Sequence, residues 1–447
     1  AAEGDPITLL DYHEEENRQR LVVHAASGGI MVHDASLRVN LMTGEETRQT
    51  TTTSIVIPGE IRTLGAPAFL RITARGEMLL VAWSGGTIIR YDLSDPERAV
   101  AAERTEFTSL PELRLTTLRF MIGDQSILAA DSSGGVHAWF AVPRWSGGID
   151  GYALALAHTL APHNAPVRAI AVSTRNKSIV TGAADGTLYL HHLTTGNTLA
   201  RTRVEPASAI LAAQITPKAD AIFAVSADGR ATLWHVSNPH PVASWGAFFG
   251  KVWYEGHEKP AFTWQSSSGT DDFEPKLSLV PLVFGTLKAT FYSMLFAIPI
   301  AVCAALYTSE FLHRRYRSPL KSLIEMMASL PSVVLGFIAA VVLAPLVERR
   351  VVGVLLACAL IPIAAILLGH LSGWLPRALA RHQGGAAGWS QVLTLCGLVL
   401  AAGLAARLLS PVVEAVMFSG DFRAWLDGRA GTGAPGIAII AWPAILV

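Results

Sequence analysis

Four long apolar stretches in residues 277–447 limit what this chain can become. Residues 289–309 and 326–347 contain no charged side chain, 351–374 carry only His370, and 391–406 are uncharged and run on past Arg407 towards Pro411. A membrane helix needs about 20 predominantly apolar residues. Each stretch is long enough to span a bilayer, which makes a buried core helix the poorer alternative. The chain ends within a fifth apolar run, 436–447, and begins at Ala1 without Met, so it reads as truncated at both ends. Residues 1–276 are different, with charges throughout. Overall the chain is 51% hydrophobic and 16% charged, against about a quarter charged in ordinary soluble domains.

Lys and Arg in short loops set orientation. The loop after the first stretch holds Arg314, Arg315, Arg317 and Lys321, which places it in the cytoplasm. Alternation then puts Glu348-Arg349-Arg350 and residues 418–435 outside, and residues 375–390, with Arg377 and Arg381, inside. The count is six basic residues inside against four outside. The N-terminal part precedes the first stretch and falls on the outer, periplasmic side, which calls for an earlier exporting helix. The expected localisation is the bacterial inner membrane, crossed several times. Zero net charge gives no basic stripe for nucleic acid.

The N-terminal part is a repeat. A Gly opens a short β-rich run at Gly28, Gly86, Gly134, Gly186 and Gly229, and the fifth residue on is His33, Tyr91, Trp139, His191 and Trp234, a ring each time. Glycine supplies a turn conformation that costs other residues steric energy, so each marks a hairpin. An apolar run such as Met78-Leu79-Leu80-Val81-Ala82 precedes each turn, and a further strand lies upstream, clearest at residues 167–172 and 210–215. This is a strand–turn–strand–turn–strand unit recurring every 40–60 residues. The period and the Tyr91-Asp92 and His33-Asp34 pairs resemble WD40-type propeller blades. The alternative is an antiparallel sandwich of similar hairpins. Five copies fall short of a usual ring, and a missing N-terminal portion accounts for that. Residues 237–276 lack the repeat and are rich in aromatics, which suits either a last propeller strand or a strut to the membrane.

No catalytic constellation stands out. His13-Glu14-Glu15-Glu16 reads as a solvated run rather than a metal site. His191 and His192 point to opposite faces of one strand and share no metal. Cys303, Cys358 and Cys396 all lie in apolar runs and read as small helix residues. No cofactor and no metal are expected. Arg407 and Glu414 read as a local pair near a helix end.

One segment carries a specific resemblance. It runs from Pro281-Leu282-Val283-Phe284-Gly285-Thr286-Leu287 through Ala305-Leu306-Tyr307-Thr308-Ser309-Glu310 to Leu330-Pro331-Ser332-Val333-Val334-Leu335-Gly336-Phe337. In this order the pieces resemble the PstC-type permease of the phosphate-specific ABC importer. The resemblance implies a type I ABC permease fold, a second permease subunit, a separate ABC ATPase subunit and a periplasmic phosphate-binding protein. The chain would move phosphate and leave ATP hydrolysis to its partners, with membrane lipid around it. No Gly-x-x-x-x-Gly-Lys-Ser/Thr pattern occurs here. The family's cytoplasmic coupling motif is absent from these residues and would lie beyond Val447, and a propeller inserted on the periplasmic side is not part of the minimal family pattern. Thr286, Ser329, Pro331, Ser332 and Gly336 are the substrate-path candidates, because hydroxyls and backbone near a Pro-Gly break suit an anion. The expected fold is thus multidomain: an all-β, WD40-like propeller over 1–240, a connecting segment over 241–276, and an all-α transmembrane permease domain over 277–447. The rival reading is a membrane-anchored propeller that senses or scaffolds without transport.

Overall fold

The computed structural model describes residues 5–15, 18–39, 46–95, 98–108, 110, 112–143, 150–267, 274–372 and 387–426. The final apolar run from Gly436 and most of residues 375–390 lie outside them. The chain divides into two compact units, Ala1–Phe284 and Gly285–Val447. The described residues of the first are mainly β, with a 3-10 turn at Arg62–Leu64, a short helix and the start of the helix Val280–Leu306, and those of the second are helical.

The β unit is a series of antiparallel sheets, each laid down in sequence order. The first holds β1 (Ile7–Glu15), β2 (Arg18–Ala25), β3 (Ile30–Val39) and β4 (Glu46–Ile55). The second holds β5 (Phe69–Ile72), β6 (Met78–Ala82), β7 (Thr87–Asp92) and β8 (Val100–Glu106). The third holds β9 (Leu115–Phe120), β10 (Ser126–Asp131), β11 (Val136–Pro143) and β12 (Tyr152–Thr159). The fourth holds β13 (Val167–Val172), β14 (Ser178–Ala183), β15 (Thr187–His192) and β16 (Asn197–Arg203). The fifth has three described strands, β17 (Ile210–Ile215), β18 (Ala221–Ser226) and β19 (Ala231–His235).

All five repeat glycines sit in the turn between the second and third strands of a sheet, at φ 91°, 97°, 96°, 83° and 80°. That left-handed region favours glycine, which explains the sequence period. The unit is larger than the repeat suggested: four sheets carry a fourth strand. β4, β8 and β16 are mostly polar or small residues at the outer edge, so no apolar alternation announces them.

Packing runs sheet to sheet. Leu79 and Val81 of β6 join a core with Val22, Ile30 and Val32 of the first sheet. Their alternate neighbours Leu80 and Ala82 join Leu118, Ile127 and Ala129 of the third. Further clusters link the third sheet to the fourth and the fourth to the fifth. Central strands are therefore buried on both faces, and period-2 alternation feeds two cores at once. The first strands approach in order, β1 to β5, β5 to β9, β9 to β13 and β13 to β17. Among the described residues no comparable packing joins the fifth sheet to the first. Leu10 and Tyr12 at one end are 59% and 47% exposed, and Phe223 and Leu233 at the other are 42% and 65% exposed.

After β19 comes α1 (Trp245–Phe249), capped by the Ser244 hydroxyl, which accepts from the Ala247 N–H. Residues 250–267 and 274–279 then form a strap across the third and fourth sheets. Among the described residues the strap adds no strand to any of the five sheets: it carries one isolated bridge, Val252 to Ala261, and a two-residue pair, Trp264–Gln265 with Lys276–Leu277. It closes on itself where the Leu279 N–H donates to the Phe248 carbonyl at 2.8 Å.

The helical unit takes up α2 (Val280–Leu306), which continues as a π-helical turn over Tyr307–Phe311. Then come α3 (Arg314–Ala328), α4 (Ser332–Glu348, with a π turn at Ala339–Leu343), α5 (Val351–Ser372), α6 (Ala387–Met417) and α7 (Phe422–Leu426). Among the described residues two helices are long and apolar enough to cross a membrane by themselves, Val280–Phe311 and Cys396–Trp425. The stretch 326–347 does not form one straight helix. Its first residues end α3, and α4 departs from α3 at 86°. The described apolar part of α5, Val351–Leu367, is shorter. α5 and α6 pack as a pair. Among the described residues the other helices show no comparable packing.

Candidate functional site

The bend between α3 and α4 follows from three residues. Pro331 has no N–H and disfavours helix at the residue before it. It adopts φ −59°, ψ 125°. Ser329 closes α3: its N–H reaches the Glu325 and Met326 carbonyls, both at 3.2 Å, and its hydroxyl donates to the Met326 carbonyl at 2.7 Å. The Pro331 carbonyl then accepts from Val334 and Leu335 at 3.0 and 3.2 Å, which starts α4. Ser332 takes the first position of the new helix. One turn on, a Cβ at Gly336 would meet nothing within 4 Å.

Ser329, Pro331 and Ser332 therefore share one corner, with Gly336 on its second arm. Thr286 is elsewhere, on α2, where its carbonyl accepts the Thr290 hydroxyl at 2.8 Å. α2 makes no substantial packing with α3 or α4, so the five candidates do not form one site within this chain. Residues 326–338 carry no titratable side chain. The corner can offer hydroxyls and helix-start N–H groups to a polar ligand. It has nothing for acid–base or nucleophilic chemistry. The Tyr-Thr-Ser-Glu piece singled out in the sequence coincides with the π turn ending α2. There Thr308 and Ser309 turn their hydroxyls back on the Ala305 and Leu306 carbonyls at 3.0 and 3.1 Å. π turns are rare and frequently sit at functional sites.

At the other end of α4, the Arg423 guanidinium lies 2.5 Å from the Glu348 carboxylate. This pair joins the end of α4 to the start of α7.

The β unit holds two buried polar clusters. One clamps the second sheet to the third. The Arg90 side chain is 2% exposed and makes a bidentate pair with Asp150, donates to the Tyr152 carbonyl at 3.0 Å and has Glu103 at 3.4 Å. Burial pushes the Asp150 carboxyl up, but the Arg90 hydrogen bond and charge outweigh it and hold the group below its ordinary range.

The second cluster ties down the strap. Glu255 accepts from the Ser126 hydroxyl and pairs with Lys177 at 2.5 Å. Lys177 also donates to the Ile122 carbonyl at 2.7 Å. Glu274 accepts from the Thr194 hydroxyl and has His192 Nε2 at 3.8 Å. Burial pushes Glu274 up to about 7, opposed by Thr194 and Lys177 and reinforced by Glu255. His192 is held down to about 4 by burial, with His158 and Lys177 adding to it. Sequence reading missed this cluster, since no spacing rule connects Lys177 to Glu255, 78 residues on.

The ring positions of the repeat are packing positions. Tyr91 is buried, with its hydroxyl on the Val56 carbonyl at 3.1 Å, and Trp139 stacks on Phe107 at 4.4 Å. His191 lies between Thr181 and Thr198, each 3.1 Å away, and Thr181 in turn meets His163 at 2.7 Å. Burial holds His191 down to about 3 and His163 to about 4. His192 bonds Thr195 instead, so the two adjacent imidazoles face apart. Among the described residues no group of three His, Cys, Asp or Glu side chains is placed to hold a metal ion. Glu16 of the His-Glu-rich run lies outside them.

Against known proteins, no protein-family profile matches the chain. Part of it is similar to ABC permeases. It is 33% identical over 78 residues to the probable ABC transporter permease protein YqgH of Bacillus subtilis, covering 17% of this chain and 25% of that protein. It is 32% identical over 76 residues to the phosphate transport system permease protein PstC 1 of Mycobacterium tuberculosis, covering 17% and 22%. With PstC of Mesorhizobium japonicum it shares 26% over 90 residues, covering 20% and 28%. The chain thus spans about a quarter of the length of the curated relatives it matches. Among solved structures, the β-propeller domain of Cps50 (Swd1) from Myceliophteria thermophila aligns at TM-score 0.39 and 16% identity, covering 52% of this chain and 72% of that one.

Proposed function

We propose that this chain is a permease subunit of an ABC importer that moves inorganic phosphate across the bacterial inner membrane. The observation that carries the reading is the local similarity to ABC permeases, three of the matched proteins being phosphate permeases. The apolar helices α2 and α6 agree with it. In this reading an ABC ATPase subunit supplies the energy, a second permease subunit completes the pathway, and a periplasmic phosphate-binding protein delivers the anion. The chain crosses the membrane several times, and the β unit, ahead of α2, stands in the periplasm as an accessory that docks a partner or steadies the assembly. The corner at Ser329, Pro331, Ser332 and Gly336, with Thr286 on α2, belongs to the phosphate path, which closes only when the second permease packs against these helices. Serine hydroxyls and helix-start N–H groups without a fixed positive charge bind an anion weakly enough to release it.

The test is uptake of radiolabelled phosphate at low external phosphate. Cells lacking the full-length gene are compared with complemented cells and with cells whose protein lacks residues 1–276 but keeps an exporting helix. Loss of uptake on deletion, and its return with the shortened protein, support the importer with an accessory β unit. Uptake that never depends on the gene sinks the importer and favours the sensor or scaffold.

A further inference from the structure

The loop that sets orientation is itself a helix with two unlike faces. On α3, Arg314, Arg317, Lys321 and Glu325 fall on one side with Ser318 and Ser322, and Arg315 borders it. Tyr316, Leu320, Leu323, Ile324 and Met327 fall on the other, the i, i+3, i+4, i+7 spacing of an apolar stripe. Four basic residues against one acidic residue leave the helix strongly cationic. The Lys321–Glu325 pair at 3.8 Å spans one turn of the polar face. Among the described residues nothing covers the apolar face: Leu323, Ile324 and Met327 are 48%, 53% and 61% exposed.

The bend supplies the second observation. α4 leaves α3 at 86° after only Ser329, Leu330 and Pro331. An apolar arm that runs into a bilayer forces a helix at right angles to it to lie along the surface. The short link keeps that helix at the level where the arm enters. Pro319 removes the N–H that would serve the Arg315 carbonyl. Hydrocarbon leaves such a carbonyl unsatisfied, whereas the hydrated headgroup layer does not.

From the elbow and the two-faced charge pattern we infer that α3 is an in-plane helix seated on acidic phospholipid at the cytoplasmic surface. Its apolar stripe sinks among the upper acyl chains and its Arg and Lys side chains reach anionic headgroups. The occupant of the bare apolar face is the bilayer, because charge complementarity and continuity with the apolar arm both select it. The inference rests on the membrane placement of α2 and α4, not on transport.

The full chain, with Cys303, Cys358 and Cys396 replaced by Ala, is reconstituted in nanodiscs of phosphatidylcholine with or without phosphatidylglycerol. Single nitroxide labels are placed at each of residues 314–328, and at Met294 within α2 as a reference. Oxygen and nickel-chelate accessibility report depth. The expected profile oscillates with the helical period, residues 316, 320, 323, 324 and 327 lying about 5–10 Å below the headgroups and 314, 318, 321 and 325 in water. Replacing Arg314, Arg315, Arg317 and Lys321 by Gln should lower the enrichment of spin-labelled phosphatidylglycerol around the protein several-fold. Three results overturn the inference. Depth that changes steadily by about 1.5 Å per residue makes α3 part of a span. A profile that is aqueous throughout makes it a surface for a protein partner. Enrichment unchanged by the Gln variant removes the anionic lipid. An aqueous Met294 instead fails the membrane placement itself, which separates that failure from the other three.

Discussion

Replacing Glu274 by Gln removes an acid that the β unit buries against its own interest. Glu274 sits against Thr194 and His192 in the strap, and burial lifts it from 4.5 to about 7. A raised acid binds its proton more tightly in the closed strap than in the open one. The stabilisation from the protonated form is complete below about pH 4.5 and is lost as pH rises through about 7. At about 1.4 kcal/mol per pKa unit, the linkage costs up to ~3 kcal/mol above pH 7. About ~2 kcal/mol of it falls between pH 5.5 and 8, which is ~30-fold in the opening equilibrium. The opposing effect of Lys177 is already contained in the value of about 7, so the expected change is roughly thirty-fold. His192, held down to about 4, stays neutral through that window and contributes nothing to it. The assay is amide hydrogen exchange of the full chain in detergent at both pH values, corrected for intrinsic rates, read on residues 250–267. Wild type should lose strap protection towards pH 8, and E274Q should keep it. Protection that ignores pH in wild type, or an E274Q strap looser than wild type at pH 8, refutes the reasoning.

Arg90→Met leaves Asp150 and Glu103 facing each other between the second and third sheets. Removing one partner of a buried pair costs roughly 3–5 kcal/mol, so hydrogen exchange of β7 and β12 should accelerate by more than tenfold while β15 is unchanged. Gly134→Ala places a Cβ 2.3 Å from the His163 carbonyl oxygen, whereas at Gly28 the same atom meets nothing within 4 Å. Both variants carry the positive-φ strain of about 1 kcal/mol or slightly more, so the lower melting temperature of Gly134→Ala measures the clash alone. His163, His191 and His192 are all held below 6.5. Their contribution is complete above pH 6.5 and fades as pH falls towards about 4, so the fourth sheet should lose exchange protection on acidification before the second does.

What could be read from the sequence was what repeats or lacks charge. The five turn glycines located the sheets because each must hold a positive φ, and the apolar stretches located the helices because hydrocarbon tolerates little else. The fourth strands escaped because β8 and β16 are polar edges, whose partner is chosen by the sheet already formed. The right angle at Pro331 escaped for a related reason. A proline inside an apolar run signals a break, and only the hydrogen bonds of Ser329 and Leu330 on one side and Val334 and Leu335 on the other fix its size. The strap cluster was invisible because Glu255, Glu274 and Lys177 meet only after two sheets have packed. Of the candidate residues, Ser329, Pro331 and Ser332 share one corner because they are near neighbours in sequence. That Thr286 stands on a helix without substantial packing against that corner is not legible in any spacing.

The way each core cluster spans one pair of neighbouring sheets has a thermodynamic consequence. Stability in such an array is a sum of sheet terms and nearest-neighbour couplings, as in a one-dimensional chain of spins. Among the described sheets, the second to fourth are each held by two couplings and the first and fifth by one. Unfolding should therefore begin at the ends and advance inward. The strap breaks this symmetry. By fastening residues 250–267 and 274–279 onto the third and fourth sheets, it attaches the chain leading to α2 at the interior of the array and bypasses the fifth sheet. A pull arriving through α2 would meet the most strongly coupled part of the β unit first.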